Sequence, residues 1–456
     1  MPSLSIMARY RFLLYLAGAA VIGLAAYALR PTPEAPPLPD DLTQIQPSAE
    51  FVNVEETIAY YRERLRREPD AIEPRVRLAQ ALMQQARTTG QETDDLPEAQ
   101  RLLEEALALD PEHYYGRTLQ AALYNTLHRF EDARALSEDL LAEYPSHAFV
   151  HGTLVDALVE LGEYEAAVGA SDRMLAIRPG LPSYARASYL RELHGDTEGA
   201  IAAMHLAADA EPSGHEGRAW ALLQLGTLYL AEAKADTAAF IFEGILEERP
   251  NFAPAVGALG HVALVKGEVD EAIVRLEEAR LLQPRETFDE LLVEAYTLAG
   301  DTRRAEAAAE RVLESLHAAR DMGEIVDMEE ADLLADRDQD LDQALRLAQE
   351  QVERRPGHLH ANETMAWALY KNERADEALP YIEQAMRLNT DDAMVHYRAA
   401  RIYETVGQTP IAAEHLRRAL DGHLRIESPS TAADARTLLA ALEGAAPVQA
   451  VSTARR

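Results

Sequence analysis

A spacing of about 34 residues recurs along most of this chain and limits its possible folds more than any other feature. Alanine marks the spacing at ten positions: Ala99, Ala133, Ala167, Ala200, Ala238, Ala272, Ala305, Ala344, Ala378 and Ala412. Prolines end apolar stretches with the same period, at residues 69, 111, 145, 179, 212, 250, 284 and 356. Two independent markers with one period predict stacked, equivalent units that each contact mainly their neighbours.

Residues 223–250 carry the repeated pattern in its fullest form. The pattern residues there are Leu225, Gly226, Tyr229, Ala238, Phe242 and Pro250. With helical spacing between them, they resemble the tetratricopeptide repeat, a helix–turn–helix unit. Over residues 70–426 this resemblance implies an all-α, right-handed superhelical solenoid of about ten units. It also implies a concave surface, lined by the first helix of each unit, that binds protein segments.

Two other stretches, SYLRELHGDTEGAI (188–201) and AWALYKNERADEAL (366–379), are similar to bacterial, membrane-anchored tetratricopeptide proteins. This second resemblance implies no particular activity. It agrees with the character of the N-terminus, where residues 12–29 contain no charge and follow Arg9 and Arg11. A helix of this length spans about 27 Å, enough to cross the hydrocarbon core of a bilayer.

The N-terminal segment therefore predicts a transmembrane helix within residues 1–30. The preceding arginines put the N-terminus in the cytoplasm and the repeats in the periplasm or outside the cell. Two alternatives stay open. In the first, the segment is a signal peptide that is cleaved near Ala28, after the A-x-A motif of residues 26–28, and the protein is secreted. In the second, the segment is an apolar helix of a soluble protein. Residues 31–49 contain six prolines and predict an extended linker.

Helix signals outside the repeats predict a cap at each end of the array. Asn53 suits the N-cap of a helix within residues 50–69. Ser430 or Thr431 suits the N-cap of a second helix within residues 427–444, with Gly444 as its stop. Such helices cover the core that a solenoid leaves open at its ends. Residues 445–456 predict a disordered tail.

Composition argues against several classes of ligand. The chain has 77 acidic and 44 basic residues, a net charge of −33, which repels nucleic-acid phosphates. Cysteine is absent, so disulfides, thiolate metal sites and thiol catalysis are excluded. The chain also lacks the glycine-rich phosphate-binding motifs and the nucleophile motif of hydrolases. The sequence therefore predicts no enzyme, no cofactor and no nucleic-acid partner.

Aspartates alternate in the stretch DRDQDLDQ at residues 336–343, as oxygen ligands do in a calcium loop. An EF-hand loop starting at Asp336 requires glycine at its sixth position and glutamate at its twelfth, where this chain has Leu341 and Leu347. The stretch also falls where each unit turns from its first helix to its second. We therefore predict a turn with an aspartate N-cap rather than a metal site.

Two histidine pairs are weak candidates for metal ligands. His147 and His151 are four residues apart but lack the glutamate of the zinc-protease motif, and His358 and His360 follow a proline. Loop or groove histidines are the commoner outcome for such spacings, so we predict no metal site.

One helical stripe in the ninth unit predicts a partner-binding surface. His360, Glu363, Trp367 and Tyr370 follow spacings of three and four residues, and Lys371 adjoins them. Equivalent stripes add Tyr397, Arg401 and Glu404 in the tenth unit and Tyr115 and Asn125 in the second. For Trp367 an alternative stays open, in which the indole packs between units.

The repeat pattern and the N-terminal segment together predict a non-enzymatic scaffold on the outer side of the cytoplasmic membrane. It would hold protein or peptide partners in the concave groove. The alternative is an accessory subunit of an envelope enzyme complex, for cytochrome maturation or polymer export, that presents a substrate or positions the enzyme.

Overall fold

The computed structural model describes residues 54–89, 92–388, 392–421 and 424–445, and these residues form twenty-three α-helices and no β-strand. The predicted transmembrane helix, the linker, the Asn53 cap and the tail after Ala445 lie outside these ranges. Within them, every helix is too short or too polar to cross a bilayer.

Ten helix pairs joined by short turns make up most of the fold. The first helices are α2 (Ile72–Thr89), α4 (Tyr114–Thr126), α6 (Ala148–Glu160), α8 (Leu181–Leu193), α10 (Glu216–Ala231), α12 (Ala253–Lys266), α14 (Glu286–Leu298), α16 (Asp327–Asp336), α18 (Leu359–Lys371) and α20 (Ala393–Thr405). The second helices are α3 (Glu92–Leu109), α5 (Phe130–Glu143), α7 (Tyr164–Ile177), α9 (Thr197–Asp209), α11 (Ala235–Glu248), α13 (Val269–Leu282), α15 (Thr302–Asp321), α17 (Leu341–Arg354), α19 (Ala375–Ala385) and α21 (Thr409–Asp421). Helix α1 (Val54–Arg67) precedes the pairs, and α22 (Leu424–Glu427) and α23 (Pro429–Ala445) follow them.

The repeated small residues allow the two helices of a unit to pack closely. All ten marker alanines lie in second helices and are at most 8% exposed. Gly226 of α10 faces Phe242 of α11 so closely that a Cβ on Gly226 would lie 2.2 Å from the phenyl ring. Close helix contact at these positions buries the large side chains around them, which is the main source of stability in such a core.

The aspartate-rich stretch is a turn, as predicted. Helix α16 ends at Asp336, and α17 begins after Asp340, whose carboxylate accepts a hydrogen bond from the Gln343 backbone N–H at 3.3 Å. Asp338 pairs with Lys371 of the next unit at 2.6 Å. In the described part of the chain, no cluster of three or more acidic or histidine side chains has the geometry to hold a metal ion.

Histidines cap several first helices, a role that was not predicted from the sequence. In His113, His147 and His358, Nδ1 accepts a hydrogen bond from a backbone N–H in the first turn of the helix, at 3.0, 3.3 and 3.2 Å. Each of these histidines follows a repeat proline by two residues. Burial and the neighbouring His151 lower the pKa of His147 to about 4, so the ring stays neutral and keeps its acceptor lone pair.

The cap of the last helix differs from the prediction. Ser428, rather than Ser430 or Thr431, caps α23, and its hydroxyl accepts a hydrogen bond from the Thr431 backbone N–H at 3.2 Å. Pro429 explains the shift, because its fixed φ and missing N–H suit the first position of a helix. Gly444 lies within α23 and does not stop it.

The array coils until units two and three contact units eight and nine. Ile325 donates its backbone N–H to the Leu127 carbonyl at 3.3 Å, and Leu359 donates to the Tyr164 hydroxyl at 3.1 Å. Arg387 donates to the carbonyls of Gly162 and Gly357, at 3.0 and 2.9 Å. These residues are as much as 225 positions apart, so successive turns of the coil pack directly on each other.

We expect Gly162→Ala to push these turns apart. Gly162 has φ +75°, and a Cβ there would lie 2.1 Å from the Gly357 carbonyl carbon. Gly300→Ala is the matched control, because Gly300 has φ +72° but open space around its Cβ, so both variants share a backbone strain of about 1–2 kcal/mol. Small-angle scattering should show a larger radius of gyration for Gly162→Ala alone, with unchanged helical circular dichroism. Equal radii for both variants would contradict the contact between turns.

Candidate binding groove

First helices of most consecutive units contact one another, and the first helices line the inside of the coil, here called the inner groove. An open pocket of about 1420 Å³ with both polar and apolar lining, here called the apolar pocket after the aliphatic and aromatic side chains in it, lies in the inner groove between unit one and units five to seven. Its lining includes Met83, Arg87, Trp220, Leu223, His261 and Phe288. An apolar concavity of this size exceeds the usual volume of small-molecule pockets and suits a segment of protein.

Charged residues hold the rim of the apolar pocket. Arg87 of α2 pairs with both carboxylate oxygens of Glu216 in α10, at 2.7 and 3.3 Å. Arg285, just before α14, donates to the Arg87 carbonyl at 3.2 Å. The first unit is therefore tied to the fifth and the seventh across the mouth of the pocket. Trp220 is 37% exposed inside this rim, and a partner would find its indole accessible.

Two smaller spaces continue the inner groove towards the C-terminal units. One of about 330 Å³ is lined by residues that include Asn125, Glu160 and His360. The other, of about 530 Å³, is lined by residues that include Tyr189, Glu192 and His360. His360 therefore borders both spaces.

Three carboxylates on first helices are less acidic than ordinary surface carboxylates. Burial, with the nearby charges of Glu290 and Glu329, raises the pKa of Glu286 to about 8. Burial likewise raises the pKa of Glu160 and of Glu192. The inner groove is thus confined and acidic, and a cation entering it would favour the ionised form of these side chains.

The structure buries Trp367, the central residue of the predicted stripe. Its side chain is 6% exposed, stacks on Tyr370 with ring centroids 4.8 Å apart, and donates Nε1–H to Asp336 at 2.6 Å. Lys371 lies over the same indole, 5.3 Å from the ring centroid. Trp367 therefore packs between units, which is the alternative that the sequence left open.

The candidate residues of the tenth unit meet the last helix. Tyr397 donates its hydroxyl to Asp434 of α23 at 2.7 Å, and Arg401 donates to the same carboxylate at 2.9 Å. Glu404 is half-buried near the end of α20. Tyr397 and Arg401 thus attach the C-terminal helix to the array.

The candidate residues of the second unit lie apart from each other. Tyr115 is buried beneath the guanidinium of Arg77, 4.7 Å from the ring centroid. Asn125 donates to the Thr153 carbonyl at 2.8 Å and shares the 330 Å³ space with His360. The structure thus brings together only some of the predicted residues, and partner binding by them stays a prediction.

A buried ionic network joins units eight to ten. Arg398 contacts Glu363 at 3.1 Å and Asp332 at 2.9 Å, and the Arg398 and Glu363 side chains are each 8% exposed. Burial acts to raise the pKa of Glu363, but Arg398 and His360 outweigh it and hold that pKa below the usual value. The hydrogen bond to Glu363 raises the pKa of His360 to about 9.

Arg398 and Asp332 were not predicted as site residues, although the sequence contains a signal for one of them. Glu363 and Arg398 are 35 residues apart, about one period, so opposite charges occupy neighbouring positions in consecutive first helices. Asp332 carries no comparable signal, because its contact depends on how units eight and ten stack.

Comparisons with known proteins agree with the repeat architecture. The tetratricopeptide repeat family model matches residues 229–292, from within α10 to within α14. No curated protein matches the sequence. Solved structures similar to this chain include a tetratricopeptide repeat protein from Parabacteroides merdae, with 16% identity, 58% of this chain and 98% of that chain covered, and a TM-score of 0.35.

Two other similar structures come from different settings. The Cut9–Hcn1 hetero-tetramer of APC/C matches with 15% identity over 85% of this chain and 93% of that chain, at a TM-score of 0.39. PilW, a type IV pilus biogenesis factor, matches with 17% identity over 43% of this chain and 90% of that chain, at a TM-score of 0.37. The family match thus assigns tetratricopeptide repeats to residues 229–292, and the 34-residue period and the ten helix pairs of the described residues extend the same helix–turn–helix unit along the array.

Proposed function

We propose that this chain is a non-enzymatic scaffold that binds a segment of a partner protein in the apolar pocket of the inner groove. The observation that carries this proposal is the exposed Trp220 in the lining of a 1420 Å³ concavity built by four units. Interfaces draw most of their affinity from aromatic anchors of this kind, surrounded by a polar rim that excludes water. Arg87 and Glu216 supply such a rim.

The proposal also includes display on the outer side of the cytoplasmic membrane. Its support is the uncharged segment of residues 12–29 behind Arg9 and Arg11, followed by the proline-rich linker. A tethered scaffold gains effective concentration for partners in the same membrane, because the tether confines both to a thin layer.

Affinity purification from detergent-solubilised membranes tests both statements. We expect Trp220→Ala to weaken partner capture about thirtyfold, which corresponds to the roughly 2 kcal/mol of an aromatic hot spot. Phe240→Ala is the matched control, since Phe240 belongs to the same unit, is 76% exposed and lies on the second helix α11, away from the pocket. Mass spectrometry of captured proteins gives the readout.

Two results would overturn these proposals. Equal capture by Trp220→Ala and Phe240→Ala would show that the apolar pocket does not bind the partner. A mature chain that begins near Leu29 and is recovered in the soluble fraction would exclude the membrane anchor.

A further inference from the structure

The chain itself occupies part of the inner groove. Residues 424–430, here called the docked segment, leave the tenth unit and cross the inner faces of α10, α12 and α14. Ile426 is 6% exposed and packs against apolar residues of units five and six, among them Val262 and Leu230. A C-terminal segment thus contacts first helices from about 165 residues earlier in the chain.

Two equivalent polar residues hold the backbone and hydroxyls of the docked segment. His261 Nε2 lies 2.7 Å from the Ile426 carbonyl oxygen. Burial lowers the pKa of His261, so the ring is neutral and Nε2–H is the donor. Glu294, one period later on α14, accepts from both the backbone N–H and the hydroxyl of Ser430, each at 2.8 Å.

This arrangement has the features of peptide recognition by a protein groove. The aliphatic side chain of Ile426 packs in an apolar cluster, and the main-chain carbonyl of the same residue accepts a hydrogen bond from a side chain of the groove. A serine of the segment donates a hydrogen bond to a carboxylate of the groove. His261 and Glu294, which bind the segment, lie 33 residues apart on consecutive first helices, so the repeat itself sets the distance between them. His261 also lines the open apolar pocket, so the docked segment borders the space where we propose that a partner binds.

We propose that the docked segment is an internal ligand of the groove, and that partners bind with a segment of the same chemistry. Such a partner segment carries a branched aliphatic residue followed within four positions by serine or threonine, as Ile426 is followed by Ser428 and Ser430. This inference rests on the proposed function and names the class of partner. Because the internal ligand is part of the same chain, its effective concentration at the groove is high. The partner's apparent association constant is therefore the intrinsic constant multiplied by the fraction of chains in which the docked segment has left the groove.

A fluorescent peptide of residues 422–432 is the probe, and its binding to the full-length chain is measured by fluorescence anisotropy. Ile426→Asp puts a charge into the apolar cluster and releases the docked segment. We expect the peptide to bind this variant at least about tenfold more tightly than the wild type, as follows if nine-tenths of wild-type grooves are occupied. Ile411→Asp is the matched control, because Ile411 is a solvent-exposed isoleucine in the last unit and should leave binding unchanged.

Adding His261→Ala to Ile426→Asp should remove the gained affinity, because the donor to the peptide carbonyl is lost. Circular dichroism and thermal melting establish that each variant is folded.

A cross-link holds the docked segment in the groove instead of releasing it, and leaves the core unchanged. Lys266 and Arg425 line the same surface cleft, and the native chain has no cysteine, so a bismaleimide between Lys266→Cys and Arg425→Cys locks the docked segment.

We expect the locked chain to bind no peptide, while the same double variant without cross-linker binds like the wild type. The inference is wrong if the locked chain binds as well as the unlocked one, or if Ile426→Asp binds no better than Ile411→Asp. The scaffold proposal is tested separately, by the dependence of partner capture on Trp220. If capture depends on Trp220 but either of these peptide results is obtained, only the inference about the docked segment is wrong.

Discussion

Replacing Trp367 with alanine is expected to lower the free energy of unfolding by about 3–5 kcal/mol, because it leaves a cavity in a packed core. The indole fills the space between units eight, nine and ten, and Asp336 would lose the indole N–H as one of its hydrogen-bond donors. Because each unit is stabilised mainly by its neighbours, the loss should be concentrated at the C-terminal end of the array. Chemical denaturation followed by circular dichroism measures it.

The only other tryptophan provides the matched control. Trp220 is partly exposed in the apolar pocket, so Trp220→Ala should change stability little while it weakens partner capture. Trp367→Ala should do the reverse. Each single variant also leaves one indole as the sole tryptophan fluorophore, so emission reports separately on the core and on the pocket. A Trp367→Ala protein as stable as the wild type would contradict the buried packing.

Replacing Arg398 with alanine is expected to cost about 3–5 kcal/mol, since it leaves Glu363 and Asp332 without their main cation in a buried site. Arg374→Ala is the control. Arg374 is the N-cap residue of α19, its partner Glu377 lies in the first turn of that helix and both side chains are exposed, so that loss should be far smaller. Equal losses for the two variants would show that the network is not a stabilising core element.

The penalty of Arg398→Ala should also depend on pH. In the wild type the pKa of Glu363 is lowered, so its ionised form adds stability above its unfolded pKa of 4.5, and this contribution is lost as the pH falls through the folded value. Without Arg398, only His360 still opposes the effect of burial, so we expect the pKa of Glu363 to rise and the protonated form to be favoured. The difference in stability between wild type and variant should therefore be larger at pH 8 than at pH 4.5. A pH-independent difference would contradict this assignment.

His360 adds a second pH-dependent contribution to the same network. Its folded pKa of about 9 lies above the unfolded value of 6.5, so the stability from its pairing with Glu363 is complete below pH 6.5 and lost as the pH rises through 9. Comparisons at pH 8 should therefore include the His360→Gln background, which removes this contribution from both proteins.

Several features were predictable from the sequence because their causes lie within one repeat. The marker alanines and Gly226 are small where two helices of the same unit touch. The aspartates of residues 336–343 form a turn because a helix start needs a carboxylate near its free N–H groups. Each of these interactions joins residues less than about 34 positions apart, so the repeated sequence contains both partners.

The sequence indicated which residues share a helical stripe but not which stripes stay open. Trp367 and Trp220 both lie on first helices of their units, yet one is buried and the other is exposed. The difference arises because Arg398, Asp336 and α23 surround Trp367, whereas the coil leaves a pocket around Trp220. Burial of a stripe thus depends on how neighbouring units, the last helix and successive turns of the coil stack around it.

The sequence by itself determined the repeat, its helix pairs, its turns and the small residues that let the helices meet. Only the tertiary structure decided the contact between Gly162 and Gly357, the size of the apolar pocket and the docking of residues 424–430 on α12 and α14. The physical reason is geometric. Each unit adds a small rotation set by its side-chain packing, and these rotations accumulate over several units before distant residues meet.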